Sequence, residues 1–217
     1  MLTPYQIYQK LYKQHGQQNW WPADSPFEVM VGAILTQNTS WTNVEKAIEN
    51  LKRENVLDCS RLLAMNNKKL ASLLRPVGYF NVKAERLKNY CHWYLAFNKS
   101  KTVLPTESLR KELLAINGIG PETADDILLY AFQRPVFVID AYTRRLFSRL
   151  GMVEAATSYE ELRLWFEKKL NRHKNKTELF NEYHALIVHH AKHHCRAKNP
   201  ACAGCGLKNN CGFSGAV

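Results

Sequence analysis

The chain has 217 residues, of which 46% are hydrophobic, so it is long enough and apolar enough to fold around a core. Lysine and arginine outnumber the acidic residues 30 to 19, and the net charge of +11 favours a polyanionic partner such as nucleic acid. The sequence contains no run of 18 apolar residues and no apolar core near its N-terminus, so we expect neither a membrane span nor a signal peptide.

Apolar residues recur mainly at helical spacing, which predicts a series of short helices. The pattern is clearest in four segments, whose apolar positions are Phe27, Met30, Val31 and Ile34; Val44, Ala47, Ile48 and Leu51; Leu162, Trp165, Phe166 and Leu170; and Leu179, Tyr183, Leu186 and Ile187. Strand-like alternation is scarce, and the apolar run 136–139 is too isolated to start a sheet. We therefore predict an all-α fold divided into two lobes.

A glycine turn separates two of the predicted helices, in the segment Leu114-Ala-Ile-Asn-Gly118-Ile-Gly120-Pro121. Proline is favoured at the first position of a helix, so the second helix is expected to start at Pro121. Backbone N–H groups at such a turn suit a phosphate oxygen, and glycine lets a DNA backbone approach closely. An ordinary helix–helix turn is the alternative. The flanking helical patterns favour a helix-hairpin-helix in which Gly118 and Gly120 contact DNA.

A single acidic residue, Asp140, follows the apolar run 136–139. A carboxylate at the edge of an apolar wall can have a raised pKa, and it can activate water or stabilise positive charge. An aspartate that caps the N-terminus of a helix would occupy the same position. The two roles are compatible, because a capping position fixes the side chain.

The C-terminal segment holds four closely spaced cysteines in the pattern C-x6-C-x2-C-x5-C, namely Cys195, Cys202, Cys205 and Cys211. In a chain for which no signal peptide is expected, such thiols indicate metal ligation and not disulfides. Four thiolates satisfy either an iron–sulfur cluster or a tetrahedral zinc ion. Cys59 and Cys91 lie far from this segment in sequence and are expected in the core.

In this order, the hairpin, the apolar run ending at Asp140 and the cysteine pattern resemble the endonuclease III-like branch of the helix-hairpin-helix (HhH-GPD) DNA glycosylases. The resemblance covers residues 27–211 and implies that Asp140 is catalytic. It also implies a [4Fe–4S] cluster on the four cysteines in the loop 195–211, with zinc as the rival.

The same resemblance implies a division of the chain into two helical lobes. One is expected to be a six-helix lobe over residues 22–130, with the helix-hairpin-helix at about 109–130. The other is expected to combine residues 1–21 and 131–217 and to carry the cluster loop.

One departure from the family pattern bears on the reaction. Family members that also cut the DNA backbone carry a lysine two residues after the second hairpin glycine, where this chain has Glu122. A glutamate cannot form an imine with the sugar, so strand-cleaving (AP-lyase) activity should be absent. The resemblance therefore implies a monofunctional glycosylase, which removes a base with water and leaves an abasic site.

Aromatic residues near the first long helix suggest a pocket for the excised base. Trp20, Trp21, Pro22 and Trp41 are the candidates for stacking on a base flipped out of the duplex, with packing between the lobes as the alternative. The segments W-W-P and L-T-Q-N-T resemble the 3-methyladenine DNA glycosylases of the endonuclease III type. Such a cationic base suits electron-rich tryptophan faces.

Further DNA contacts are carried over from the family by position. Gln37 and Asn38 are expected to bind DNA, with Gln37 filling the gap left by the flipped base. Tyr79 is expected to act as the wedge, although turn packing would also explain this residue. The candidate phosphate contacts are Lys83, Arg144, Arg145, Lys192, Arg196, Lys198 and Lys208. His193 and His194 precede the first cysteine and could orient the cluster, but they are expected to be surface residues.

Two other functions are compatible with these motifs. The first is excision of another base, such as an oxidised pyrimidine or a mismatched adenine or thymine. The second is a non-catalytic DNA-binding module, which Asp140 argues against because pure binding needs no carboxylate facing a polyanion. The expected partner is double-stranded DNA with a damaged base. We expect a monomer that is cytoplasmic, associated with the nucleoid, and of bacterial or archaeal type.

Overall fold

The computed structural model describes residues 2–215. Across these residues it contains eleven α-helices and no β-strand, which confirms the all-α prediction. The helices are α1 (Pro4–His15), α2 (Pro26–Leu35), α3 (Trp41–Arg53), α4 (Cys59–Ala64), α5 (Asn67–Leu73), α6 (Phe80–Ser100), α7 (Thr106–Ala115), α8 (Pro121–Asp126), α9 (Ala141–Arg149), α10 (Tyr159–Lys169) and α11 (Lys176–His193). No helix in the described part of the chain is long and apolar enough to cross a membrane.

Shorter turns complete the secondary structure. A π-helical turn (Ile127–Ala131) directly continues α8, and 3₁₀ turns span Arg75–Val77, Lys208–Asn210 and Gly212–Gly215.

The described residues form two compact units. One is Trp21–Gln133, with α2 to α8, and the other combines the residues up to Trp20 with those from Arg134 onward. The first unit therefore starts one residue before the predicted boundary at 22 and ends three residues after 130. It holds seven α-helices instead of the predicted six. The extra helix arises because α4 ends at Met65, whose backbone is extended. A new helix, α5, then begins, and the Asn66 side chain caps it by accepting from the Lys68 amide.

Helix α2 is the centre of the Trp21–Gln133 unit. Every residue from Glu28 to Leu35 is buried, which is typical of a helix surrounded by others on all sides. It packs against α3, α6, α8 and the π-helical turn. The Ser25 hydroxyl caps its N-terminus by accepting from the Glu28 amide, so the start of the helix is fixed before its apolar run begins.

The other unit is built on an aromatic core. Phe137 and Phe166 stack in parallel with ring centroids 4.1 Å apart, and Phe147 meets Phe166 edge-on at 4.6 Å. The run 136–139 is buried and forms no strand, as predicted. Instead, the Phe137 amide donates to a Glu167 carboxylate oxygen, and side chains thereby satisfy backbone groups in the core. Asp140 directly follows this buried run.

Candidate functional site

Asp140 lies where the buried run ends and α9 begins. It is the N-cap of α9, and its Oδ1 accepts a hydrogen bond of 2.6 Å from the Thr143 amide. The side chain is largely buried, with 8% of the residue exposed. The capping role weighed from the sequence is therefore present, and it holds the carboxylate in one orientation.

The second carboxylate oxygen of Asp140 faces a histidine. His184 Nε2, from α11, lies 3.6 Å from Asp140 Oδ2, and both side chains are buried. Burial by itself raises the pKa of the Asp140 carboxyl, but the interaction with the His184 imidazole and donation from the Thr143 amide together lower it below its ordinary value. The raised pKa expected from the apolar wall is thus wrong, and the group is an anion at neutral pH. No pattern in the sequence indicates His184, because only folding brings this residue to Asp140.

The helix-hairpin-helix consists of α7, the loop 116–120 and α8. Gly118 has φ +93°, and a Cβ at this position would collide with the Arg86 side chain, so only glycine fits. Gly120 has φ −93°, and an added Cβ would meet no atom within 4 Å. Helix α8 starts at Pro121, as predicted, and its N-cap residue Gly120 has no side chain that could cap it. The first glycine thus shapes the loop, whereas the second leaves open space beside the helix start.

Gln37 is held against the hairpin. Its Nε2 donates to the Gly118 carbonyl at 3.0 Å and to Thr123 Oγ1 at 2.9 Å, while its Oε1 accepts from Arg86. Neighbouring Asn38 is exposed and adopts a left-handed backbone with φ 54°. The side chain predicted to enter the duplex is therefore hydrogen-bonded to the helix-hairpin-helix of the same unit.

Tyr79, the predicted wedge, is an exposed aromatic residue. It is 76% exposed and has φ 42° at the start of α6. A left-handed backbone is uncommon for a bulky residue and costs about 1–3 kcal/mol, so the strain has to be offset by the surrounding turn. Turn packing does not explain an exposed ring, and the wedge role of Tyr79 stays a prediction.

Two of the predicted pocket tryptophans lie together. Trp21 meets Trp41 edge-on with ring centroids 5.1 Å apart, and it meets Tyr130, which the sequence did not indicate, at 5.2 Å. Gly32 of α2 makes room for both indoles, because a Cβ there would lie 3.3 Å from Trp21 and 3.5 Å from Trp41. Pro22 is exposed.

Trp20 belongs to the other unit. There the Lys192 ammonium lies 6.0 Å from the centroid of its ring. The aromatic group of the Trp21–Gln133 unit therefore comprises Trp21, Trp41 and Tyr130.

One predicted phosphate contact is wrong. Lys83 is only 2% exposed, and its ammonium donates to the carbonyls of Leu35 at 2.9 Å and Val77 at 2.8 Å. Burial lowers its pKa to about 8, with help from the charge of Arg86. Lys83 satisfies the C-terminal end of α2, where helix carbonyls lack partners, and it is not available to DNA.

The paired arginines of α9 bind backbone carbonyls. Arg144 Nη1 donates to the Thr157 carbonyl at 2.5 Å, and Arg145 Nε donates to the Cys195 carbonyl at 2.8 Å. Both side chains are half-buried. Arg145 therefore fixes the backbone of the first cysteine of the C-terminal pattern, and its contact with phosphate stays a prediction. The candidates that are exposed are Lys192, Arg196, Lys198 and Lys208.

The four C-terminal cysteines surround one cavity. None of the four forms a disulfide within the described residues, and the empty space they border measures about 360 Å³, part of which is open to solvent. Apolar side chains complete the wall, among them Leu146, Leu150, Leu207 and Phe213. Arg149 Nη1 donates to Cys195 Sγ at 3.3 Å. Four thiols, an apolar lining and donors to sulfur fit a thiolate-bound iron–sulfur cluster. Cys59 and Cys91 are buried in the other unit, as expected.

A group of histidines adjoins this cavity. His15 Nε2 lies 2.9 Å from His190 Nδ1, and His190 Nε2 lies 3.4 Å from Cys205 Sγ. Burial, together with the charges of neighbouring imidazoles, lowers the pKa of His190 to about 3 and that of His15 to about 4. His193 is exposed, as expected, but His194 is half-buried and lines the cavity, so its assignment to the surface is wrong. Folding places it between Gln14 and the cysteine loop.

Comparisons with known proteins agree with these features. Residues 31–172 match a family model described as an HhH-GPD superfamily base excision DNA repair protein. A Methanocaldococcus jannaschii protein assigned as a DNA repair glycosylase is 50% identical over 212 residues, covering 95% of this chain and 94% of its own. Endonuclease III of Thermotoga maritima is 30% identical, covering 87% and 83%.

Solved structures show the same architecture. A 3-methyladenine DNA glycosylase of H. pylori bound to 1,N6-ethenoadenine is 31% identical, with a TM-score of 0.75 over 88% of this chain and 98% of its own. A non-covalent complex of endonuclease III with DNA has a TM-score of 0.82 at 23% identity, covering 100% and 98%. The second match supports the fold alone.

Proposed function

Because the chain belongs to the HhH-GPD superfamily of base excision DNA repair proteins, we propose that it is a monofunctional glycosylase for alkylated purines, with 3-methyladenine as the main substrate. DNA glycosylase activity follows from the family. The specificity and the absence of strand cleavage rest on this chain's own residues. The main support for the proposal is that Asp140 is an ionised carboxylate in a fixed orientation, while residue 122 is a glutamate and offers no amine.

The missing amine supports hydrolysis over lyase chemistry. Glu122 is exposed in the first turn of α8, and a carboxylate cannot form the imine that precedes strand cleavage. Lys83, whose pKa is lowered to about 8, is no substitute, because its ammonium is buried and bonded to two carbonyls. Water is then the species that adds to the sugar.

Asp140 is suited to stabilising charge. A 3-methylated adenine base carries positive charge and leaves as a neutral molecule when its bond to the sugar C1′ breaks. The sugar is then an oxocarbenium ion, and water adds to C1′ and loses a proton. A carboxylate with a lowered pKa is a weak base but a good counter-ion, so we assign it electrostatic stabilisation of this ion as its main role. Its fixed orientation also allows it to hold the attacking water.

The aromatic group supports recognition of a cationic base. Trp21, Trp41 and Tyr130 supply electron-rich rings within one unit, and a flipped alkylpurine would stack there. The H. pylori glycosylase supports this substrate class, because its structure holds a modified adenine. Neutral adenine lacks both the charge and the weakened pairing that eases flipping.

We assign the cysteine cavity to a [4Fe–4S] cluster held by Cys195, Cys202, Cys205 and Cys211. When bound, such a cluster supplies a rigid, redox-capable centre that fixes the C-terminal loop. The loop bears the exposed cations Arg196, Lys198 and Lys208, so the cysteines place positive charge for DNA binding. Absorption near 400 nm with about four iron atoms per chain would support this centre, whereas zinc alone would contradict it.

The proposed partner is double-stranded DNA with a damaged base, bound by a monomer. The hairpin would bind the phosphate backbone beside Gly120, Gln37 would leave Gly118 and Thr123 to fill the vacated space, and Tyr79 would enter beside the orphaned base. Gln37 is half-buried and would give up hydrogen bonds to its own unit when it enters the duplex.

Asp140→Asn tests the proposed catalytic role. Asparagine is an equally good N-cap, so the fold should be retained, while the negative charge is lost. We expect the single-turnover rate of 3-methyladenine release from methylated DNA to fall about 10²–10³-fold, as for the loss of one group that stabilises transition-state charge. Affinity for abasic-site DNA should stay at or above the native value. A variant as fast as the native protein would contradict the role of Asp140.

A second candidate is the excision of another damaged or mismatched base. The similarity to Thermotoga maritima endonuclease III favours it, because that relative covers most of both chains. The same hairpin, carboxylate and cysteines would serve this reaction. A panel of duplexes with oxidised pyrimidines and mismatches separates the candidates, since our proposal predicts release only from the alkylated purines.

A further inference from the structure

The His194 side chain carries a buried hydrogen-bond donor without an acceptor. Its Nδ1 has no partner among the described residues, although the imidazole lines the cavity bordered by the four cysteines. Its Cε1 lies 3.5 Å and its Nδ1 3.9 Å from the position a Cβ would take on Gly204, in the loop between Cys202 and Cys205. A buried polar nitrogen without a partner is rare in folded proteins, because desolvation without a hydrogen bond is costly.

Gln14 determines which nitrogen of His194 carries the proton. The Gln14 Oε1 accepts from the Gly206 amide at 2.9 Å, and its Nε2 donates to the Gly204 carbonyl at 3.0 Å, so the orientation of the amide is fixed at both ends. The same Nε2 lies 3.1 Å from His194 Nε2 and donates to it. His194 Nε2 is therefore an acceptor, and the proton of the ring resides on Nδ1, the buried atom that lies 3.9 Å from the Cβ position of Gly204 in the cysteine loop.

A second imidazole donates to the same centre. His190 Nε2 lies 3.4 Å from Cys205 Sγ, and a metal-bound thiolate can only accept. His190 therefore carries its proton on Nε2, and its Nδ1 accepts from His15 Nε2 at 2.9 Å. Gln14 and His15 are the last two polar residues of α1, so this helix sets the proton position on both imidazoles.

We infer that His194 Nδ1–H and His190 Nε2–H are hydrogen-bond donors to the sulfur atoms of the bound cluster, and that α1 positions them through Gln14 and His15. Donors to sulfur stabilise the more negative, reduced state and raise the reduction potential of a cluster. The two histidines are thus positioning residues that set this potential. The inference rests on the proposed [4Fe–4S] cluster and extends it to residues outside the cysteine pattern.

Matched substitutions separate donation from packing. His194→Phe and His190→Phe keep a ring but remove the donor, whereas His194→Asn and His190→Gln keep an N–H group near the positions of Nδ1 and Nε2. We expect each phenylalanine variant to shift the midpoint potential of the cluster to a more negative value in protein-film voltammetry. The Asn and Gln variants should retain most of the native potential. Iron and acid-labile sulfide, measured on each protein, give the cluster content.

A measurement on the native protein tests the inference even if a variant loses its cluster. With ¹⁵N-labelled histidine, pulsed electron paramagnetic resonance of the cluster in a paramagnetic state should show coupling to two histidine nitrogens and to exchangeable protons. Loss of one coupling in His194→Asn, which replaces the labelled nitrogen, would assign it.

Three results would overturn the inference. Unchanged potentials in both phenylalanine variants, or the lack of histidine coupling in an iron-containing native protein, would contradict it while leaving the cluster in place. One equivalent of zinc beside the iron, lost on substitution of His15, would show that the imidazoles are metal ligands instead. A native protein without iron would instead contradict the cluster assignment itself.

Discussion

Asp140 is a fixed anion in a buried position, and a residue far away in sequence makes it so. The sequence predicted that Asp140 caps a helix, because a capping role depends only on the residues next to it in the chain. It did not predict the direction of the pKa shift, because His184 reaches Asp140 only when α11 packs against α9. Tyr130 was missed for the same reason, since its contact with Trp21 spans distant parts of one unit.

The pKa of Asp140 should respond to His184. In the native protein the carboxyl titrates below its ordinary value of 3.8, so its charge stabilises the fold above the unfolded-state pKa and this contribution is lost as pH falls through the lower folded-state pKa. In His184→Leu the main lowering interaction is gone and burial dominates, so the pKa should rise. Carbon-13 NMR titration of the Asp140 carboxyl measures both values.

His184→Gln is the matched control for this titration. It keeps a neutral donor near the carboxylate, so its Asp140 pKa should lie between those of the native protein and His184→Leu. An Asp140 pKa that is the same in all three proteins would show that His184 does not set the charge of the site.

At the scale of elements, the two hairpin glycines should differ in what they support. Gly118→Ala places a β-carbon on a backbone with φ +93° and against Arg86, so we expect the free energy of unfolding to fall by about 1 kcal/mol or more. Gly120→Ala meets no protein atom and should leave stability unchanged, while weakening DNA binding if a phosphate lies there. Urea unfolding and DNA titration measure the two effects. Full DNA affinity in Gly120→Ala would contradict a phosphate site at this glycine.

Lys83 should matter for stability and not for DNA affinity. Lys83→Met keeps the length of the side chain but leaves the carbonyls of Leu35 and Val77 without their buried donor. We expect the free energy of unfolding to fall by about 1–3 kcal/mol, the usual cost of an unsatisfied buried group. The salt dependence of DNA binding should match that of the native protein, in contrast to exposed Lys198→Met. A reduced salt slope in Lys83→Met would restore Lys83 as a phosphate contact.

How far elements were predictable depended on the strength of their apolar period. The buried face of α3 consists of the four predicted positions, because its apolar period repeats over several turns. The predicted positions of α11 are buried too, but so are all residues from Glu182 to Val188. Helices α4 and α5 have six and seven residues and offer too few apolar positions for a period to stand out. The burial of Lys83 was not predictable from the sequence either, since lysines normally lie at the surface.

At the scale of the whole molecule, the net charge and the order of motifs predicted the family. A charge of +11, a hairpin, an aspartate after an apolar run and four cysteines are each modest evidence, but together, and in this order along the chain, they are typical of one family. The comparisons confirm that family. The substrate depends on a few side chains that contact one base, and such positions follow no local pattern. The aromatic group of Trp21, Trp41 and Tyr130 is accordingly the feature on which specificity is proposed.

The most direct test of the monofunctional alkylpurine assignment identifies both products of one reaction. Native protein is incubated with end-labelled, methylated duplex DNA, the released bases are separated by chromatography, and the strands are analysed with and without alkali. We predict free 3-methyladenine together with strands that stay intact until alkali cleaves the abasic site. Strand cleavage without alkali, or release of an oxidised or mismatched base with 3-methyladenine left in the DNA, would contradict the assignment.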